Sequence, residues 1–306
     1  MGPLRAAGGL TRSSLLVGLA SFMAVSACDN RVSLGLLPPS PDGGTDAPVD
    51  PPLDASLDVP ADVPALDASS DSSLDASSDG SGDALPASVW PWTATFEPMG
   101  WSEWSTPTAD VTGGPDSARG SRLNVSTTVV HGGQRSAMLT LTTGDTIQYA
   151  RFYRQGRFPR HARIGAWFYF PQAYTIDNYW NLIQFSVPGK PFGGLLWDID
   201  LFPGPDGMSL VLYDHVKVAF RKPSRLLPFP NKAWVHIEVD YVSSTGTDGS
   251  IALYVDGALL VKADQVTTTF DENNLQISIG SQAPGGDITP SPVISYLDDV
   301  TIAAVP

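Results

Sequence analysis

Between residues 89 and 306 the chain alternates apolar and polar positions with a period of two over many short stretches. Successive side chains of a strand point to opposite faces, so this pattern predicts half-buried β-strands. In Trp234–Val242, the residues Val235, Ile237, Val239 and Tyr241 share one face, and His236, Glu238 and Asp240 share the other. A turn rich in Gly and Asp at 246–249 leads to a second run, Ser250–Val255, which Asp256-Gly257 joins to a third, Ala258–Lys262. Asp-Gly between apolar runs marks a tight hairpin, because both turn positions need a positive φ. The three runs therefore predict an antiparallel meander. Further strands are expected at 137–143, 146–153, 163–170, 180–187, 195–202, 208–220, 275–280 and 294–303. No window of helical length carries a 3.6-residue period. Many short antiparallel strands with turns between them predict an all-β fold, a two-sheet antiparallel jelly-roll sandwich.

The first 88 residues have a different character, and charge locates the change. Residues 1–28 carry +2, residues 29–88 carry −11 from 12 Asp against Arg31, and residues 89–306 carry −5, together the −14 of the chain. The acidity thus belongs mostly to one segment and says little about what the folded part binds. In residues 1–28, Arg5 and Arg12 precede an apolar run, Leu15–Val25, too short to cross a bilayer as a mature helix. This is the pattern of a secretory signal. It ends in Val25-Ser26-Ala27-Cys28, which resembles the bacterial lipobox, where the cysteine is diacylated and becomes the new N-terminus. Cys28 is the one cysteine in the chain, which excludes a disulfide framework and any Cys-based zinc site. From Pro38 to Ala87 the chain is built of Asp, Ala, Ser and Pro without aromatics, in near-repeats such as Leu66-Asp67-Ala68-Ser69-Ser70-Asp71. Regular like charges and scarce apolar surface cannot offset ordering entropy, so 29–88 is expected to be a disordered tether. The domain plan is a lipoprotein signal peptide with lipobox (1–28), the tether (29–88) and one sandwich domain (89–306). It implies a lipid-anchored protein of the bacterial cell envelope, at the outer membrane or cell surface, attached to the membrane through Cys28.

The folded part carries a family resemblance. Trp234 to Val261, with its strand-opening Trp, Gly-rich turn and Tyr254-Val255-Asp256-Gly257 hairpin, resembles the concanavalin A-like (laminin G-like) jelly roll. Ile294-Ser295-Tyr296-Leu297-Asp298-Asp299-Val300-Thr301-Ile302 is similar to the closing strand of that group. Phe96-Glu97 with Gly100-Trp101, and His131-Gly132-Gly133-Gln134-Arg135-Ser136-Ala137-Met138, resemble the opening strands of jelly-roll carbohydrate-binding modules. Phe170-Pro171-Gln172-Ala173-Tyr174, leading to Tyr179-Trp180-Asn181-Leu182-Ile183-Gln184-Phe185, is similar to a stretch of polysaccharide lyases of the heparin-lyase type. The resemblance implies a polysaccharide partner and no required cofactor. It also implies a structural calcium ion held by Glu97 and Asp298, since hard carboxylate oxygens suit that ion.

Catalytic patterns narrow the chemistry. Asp198 and Asp200 share a strand face in Leu196–Phe202, a run similar to the acidic strand of laminarinase-type jelly rolls. That family has Glu at both ends of its motif, whereas here the ends are Asp198 and Leu201 or Phe202, which argues against a retaining glycosidase. There is no nucleophile elbow, phosphate loop or metal-spaced His cluster. Read as one strand, Ser209–Arg221 sends Leu210, Leu212, Val216, Val218 and Phe220 to the core and Tyr213, His215, Lys217 and Arg221 to the opposite face. A Tyr, a His and two cations on one face suit a uronate: a cation neutralises the carboxylate while Tyr213 or His215 removes the C5 proton. An ordinary solvated sheet face would show the same alternation.

Charge clustering adds to this picture. Arg151, Arg154, Arg157, Arg160 and Arg163 fall within thirteen acid-free residues, and Lys217, Arg221, Lys222 and Arg225 form a second acid-free group. Such clusters favour an anionic glycan, although a period of three cannot keep all five arginines on one strand face. Nucleic acid is not expected, since no nucleic-acid-binding motif accompanies the arginines. The reading favoured is a surface-tethered carbohydrate-binding or adhesion lipoprotein recognising an extracellular polysaccharide, because only one strand of a lyase constellation can be named; the alternative is a polysaccharide lyase acting on a uronate-containing glycan by β-elimination. The expected sugar-binding residues are Arg151, Trp167, Tyr169, Gln184, Tyr213, His215, Lys217 and Arg221, with Trp180 as a further flat apolar face. Tyr213 and His215 are catalytic if the protein is a lyase.

Overall fold

A computed structural model of the chain describes residues 90–306 apart from 109, 119, 143–145, 205–206, 224–227 and 285. The expected signal segment, Cys28, the expected tether and Arg225 lie outside the described residues. Among the described residues there are seventeen strands: β1 (Trp92–Ala94), β2 (Val111–Ala118), β3 (Arg122–Ser126), β4 (Ser136–Leu141), β5 (Gln148–Gly156), β6 (His161–Tyr169), β7 (Thr175–Ile176), β8 (Trp180–Ser186), β9 (Leu195–Gly204), β10 (Gly207–Asp214), β11 (Ala219–Arg221), β12 (Trp234–Val242), β13 (Gly249–Val255), β14 (Ala258–Val266), β15 (Leu275–Ala283), β16 (Ile288–Thr289) and β17 (Val293–Ala304). One sheet runs β14-β13-β12-β6-β17-β4-β3 with β1 alongside β17, the other runs β11-β10-β9-β8-β15-β5-β2, and β7 pairs with β16. Every strand pair is antiparallel. The domain is the two-sheet antiparallel sandwich that the alternation predicts. No helix among the described residues is long and apolar enough to cross a membrane.

The expected meander is present as β12-β13-β14, with Asp256 and Gly257 both at positive φ in the hairpin turn. Burial alternates residue by residue along β5 and β12, one face to the core and one outward. Phe185 of β8 and Tyr241 of β12 stack at 4.6 Å between centroids, joining the two sheets at the centre. At one end Trp92, Phe96, Trp104 and Phe152 pack ring against ring. Arg154 is buried among them: its guanidinium donates to the carbonyls of Trp104 and Thr106 at 2.9 Å and of Val111 at 3.3 Å, and lies over Trp92. Burial draws its pKa down to about 10. Arg154 thus holds the short helical turn Ser102–Ser105, which the period did not reveal, against the sheet.

The structure corrects the strand expected at 208–220. β10 stops at Asp214, residues 215–218 form a turn, and β11 returns antiparallel to β10, pairing Tyr213 with Phe220 and Leu212 with Arg221. The cause is local. The Asp214 carboxylate accepts the Lys217 N–H at 3.0 Å, and Val218 takes a left-handed φ of 51°, so a short polar side chain competes with the ladder for backbone groups. Val216, Val218 and Phe220 are therefore exposed rather than in the core. Arg221 leaves the face of Tyr213 and points to buried Asp214, 3.6 Å away.

Candidate functional site

The seven-stranded sheet turns one face to the core and the other outward, and the outward face is unlike an ordinary solvated one. Asn181, Gln184 and Ser186 of β8, Asp198 and Asp200 of β9, Ser209 of β10, and Ser278 and Gln282 of β15 are all buried. Buried polar side chains need partners, and Asn181, Gln184, Asp198, Asp200 and Gln282 find them sideways, from strand to strand. An extra residue in β8 between Asn181 and Ile183 lets two positions three apart look the same way. Asn181 Nδ2 accordingly donates to Asp200 Oδ1 at 2.8 Å, and Gln184 Nε2 donates to Asp198 Oδ1 at 3.1 Å.

A polar row crosses six strands of this sheet. From β2, Asp116 holds Arg151 of β5, whose Nε and Nη2 both lie 3.1 Å from Asp116 Oδ2. Arg151 Nη1 donates to Gln282 Oε1 at 2.7 Å and to Gln184 Oε1 at 3.3 Å. Gln184 passes the row to Asp198, and Asp198 Oδ2 lies 2.8 Å from His215 Nε2. Tyr213, across from Asp198 in the β9–β10 register, meets the His215 ring edge-on at 4.7 Å. Burial, and then the charges of Asp198, Asp200 and Asp214, raise the Tyr213 pKa above its ordinary value, so the phenol keeps its proton at neutral pH. With Nε2 on the Asp198 carboxylate, the neutral imidazole carries its proton there and turns a basic Nδ1 away from it.

Aromatic rings flank the row. Phe220 of β11 lies 4.8 Å from Tyr213 and 4.7 Å from Phe202, and Tyr179 stacks beyond Phe202 at 6.5 Å. On the other side Arg151 lies 4.6 Å over Tyr149. Two partly open hollows of about 10 and about 50 Å³ lie elsewhere, both far below the roughly 300 Å³ of a small-ligand pocket.

Of the expected sugar-binding residues, Arg151, Gln184, Tyr213 and His215 come together on this face, with Lys217 exposed on the adjoining turn. Arg221 does not join them, for the reason given above. Trp167 and Tyr169 lie on β6 in the other sheet. Both faces of Trp167 are covered, by His131 at 3.8 Å and by His236 at 4.7 Å, so that ring cannot stack on a sugar. Trp180 is wholly buried, its Nε1 bonded to Ser281.

Glu97 and Asp298 take hold of the same loop. Glu97 Oε1 accepts the N–H groups of Gln134 and Arg135, and Asp298 Oδ2 accepts those of His131 and Gly132. Among the described residues, no group of three or more His, Cys, Asp or Glu is arranged to hold a metal ion. Asp116, Gln282, Phe202 and the partnership of Asp198 with His215 escaped the sequence reading. Gln282 carried a signal in the polar alternation Gln276, Ser278, Gln282, whereas Asp116 sits in a Gly- and Pro-containing stretch that does not read as a strand.

No family model matches the chain, and no curated protein matches it. Solved structures of similar fold include an endo-β-1,4-glucuronan lyase from the fungus Trichoderma reesei, at 13% identity over 62% of this chain and 90% of that one, TM-score 0.47. The cellulose-induced protein Cip1 is similar at 17% identity over 70% of this chain and 97% of that one, TM-score 0.47. A marine alginate lyase from Aplysia kurodai is similar at 13% identity over 70% of this chain and 98% of that one, TM-score 0.48.

Proposed function

We propose that the chain binds an acidic polysaccharide along the outward face of the seven-stranded sheet and cleaves it at a uronate by β-elimination. The observation that carries this reading is the meeting of Tyr213 and His215, with His215 oriented by buried Asp198. Elimination needs a base for the C5 proton, an acid for the departing O4, and donors facing the C6 carboxylate as negative charge develops there. Nδ1 of His215 supplies the lone pair, and Tyr213, held protonated, supplies the acid. The C5–H proton passes to Nδ1, the C4–O4 bond breaks, the phenol proton goes to O4, and a C4=C5 double bond forms. A proton returned from imidazolium to phenolate restores the pair. Lys217, two residues beyond His215 on the same turn, is assigned the C6 carboxylate of that sugar. Arg151, separated from His215 by Gln184 and Asp198, is assigned the carboxylate of a sugar further along.

The test is absorbance of the unsaturated uronate after mixing the purified protein with polymers of glucuronate, mannuronate and guluronate. One of these should be cleaved, and His215→Ala should lower turnover at least about 100-fold while leaving binding in place. Binding without any new absorbance would reject the elimination and leave this face as the surface of a carbohydrate-binding protein.

A further inference from the structure

Three of the large apolar side chains exposed on the domain fall within five residues of one another: Val216 at 42%, Val218 at 56% and Phe220 at 39%. They occupy the turn after His215 and the short strand β11. Scattered apolar residues on a surface need no explanation, but a cluster next to a candidate site does. The backbone there is also costly, since Val218 is β-branched and holds a left-handed φ. Two cations accompany the cluster. Lys217 and Lys222 form no ion pair among the described residues, and Lys222 Nζ lies 5.2 Å from the centre of the Phe220 ring. Phe220 in turn contacts Tyr213, so the cluster is continuous with the chemistry.

We infer that residues 216–222 form a binding arm for the uronate next to the one that Tyr213 and His215 process. The inference rests on the reading under Proposed function and extends it to a substrate class, a run of consecutive uronates rather than a lone uronate in a neutral chain. A pyranuronate offers an apolar C–H face and, attached directly to the same ring, a carboxylate. The arm offers the matching pair, an exposed phenyl ring for the face and, over that ring at 5.2 Å from its centre, an ammonium on a flexible stem that swings aside to meet the charge. With no ion pair among the described residues, the Lys222 ammonium can follow the carboxylate as the sugar settles on Phe220.

The experiment is calorimetric titration of His215→Ala with disaccharides and tetrasaccharides of the uronan that the parent binds, alone and combined with Phe220→Ala and Lys222→Gln. Both arm residues are exposed, and circular dichroism checks that the fold persists. The arm variant should bind the tetrasaccharide about tenfold more weakly, about 1.4 kcal/mol, and bind the disaccharide unchanged. Lys222→Gln alone should lose part of the salt dependence. Equal tetrasaccharide binding with and without the arm residues would overturn the arm and leave the elimination standing. Failure of the parent and of His215→Ala to bind any uronan would overturn both.

Discussion

Asp298 illustrates how a single side chain can carry opposing electrostatic demands. Three backbone N–H groups, from His131, Gly132 and Asp299, donate to its carboxylate and favour the ionised form. Complete burial opposes them, with Asp299 adding like charge, and the balance raises its pKa to about 6. A carboxyl whose folded pKa exceeds its unfolded value binds its proton more tightly when folded. Its contribution to stability is therefore full below about pH 4 and is lost as pH rises through about 6. The ceiling is about 3 kcal/mol. Asp298→Asn should flatten that part of the pH dependence, compared by thermal unfolding at pH 4, 6 and 8. A parent melting temperature that falls when chelator is added would instead place a cation at this corner, as the carbohydrate-module resemblance implied for Glu97 and Asp298.

Strands and turns divide into those fixed by their own residues and those fixed by their neighbours. Gly257 belongs to the first kind. Its φ is 77° and nothing lies within 4 Å of where a Cβ would stand, so Gly257→Ala should cost only the left-handed backbone, about 1 kcal/mol. Gly113 of β2 belongs to the second. A Cβ there would stand 2.2 Å from the Tyr153 carbonyl oxygen and 2.9 Å from that of Trp104, backbone atoms that cannot turn aside. Gly113→Ala should therefore cost about 3 kcal/mol as overpacking. Chemical denaturation of the two variants measures both, and equal losses would contradict this division. The same distinction explains what was legible in the sequence. The β12-β13-β14 meander could be read because alternation and Asp256-Gly257 act within a few residues. β10 and β11 read as one strand because apolar parity continues from Leu212 through Val216 to Phe220, while the break depends on one side chain, Asp214, capturing the Lys217 N–H.

For the molecule as a whole, attachment and site are separate questions. If the Val25–Cys28 motif directs diacylation, Cys28→Ser should move the protein from the membrane fraction to the soluble fraction. Immunoblotting of the two fractions checks this, and unchanged membrane retention would reject lipidation. The sandwich should keep its melting temperature in that variant, because every contact described above lies within residues 90–306.

The sequence by itself determined that the folded part is a β-sandwich, where most strands run, and which residues share a face along each strand. Those properties follow from the two-residue period of an extended chain, which is covalent and local. It also brought forward Arg151, Gln184, Tyr213 and His215, but on three strands, with Tyr213 and His215 together on one, and without the order in which those strands pair. Only the tertiary structure decided which sheet each strand joined. β6 went to one sheet, taking Trp167 and Tyr169 away, while β8 settled between β9 and β15, and β15 beside β5. Those pairings join segments up to about 130 residues apart, as the Arg151–Gln282 bond does. They are selected by burial of both sheet faces and by hydrogen-bond partners for buried polar groups, and neither quantity exists until the strands have met.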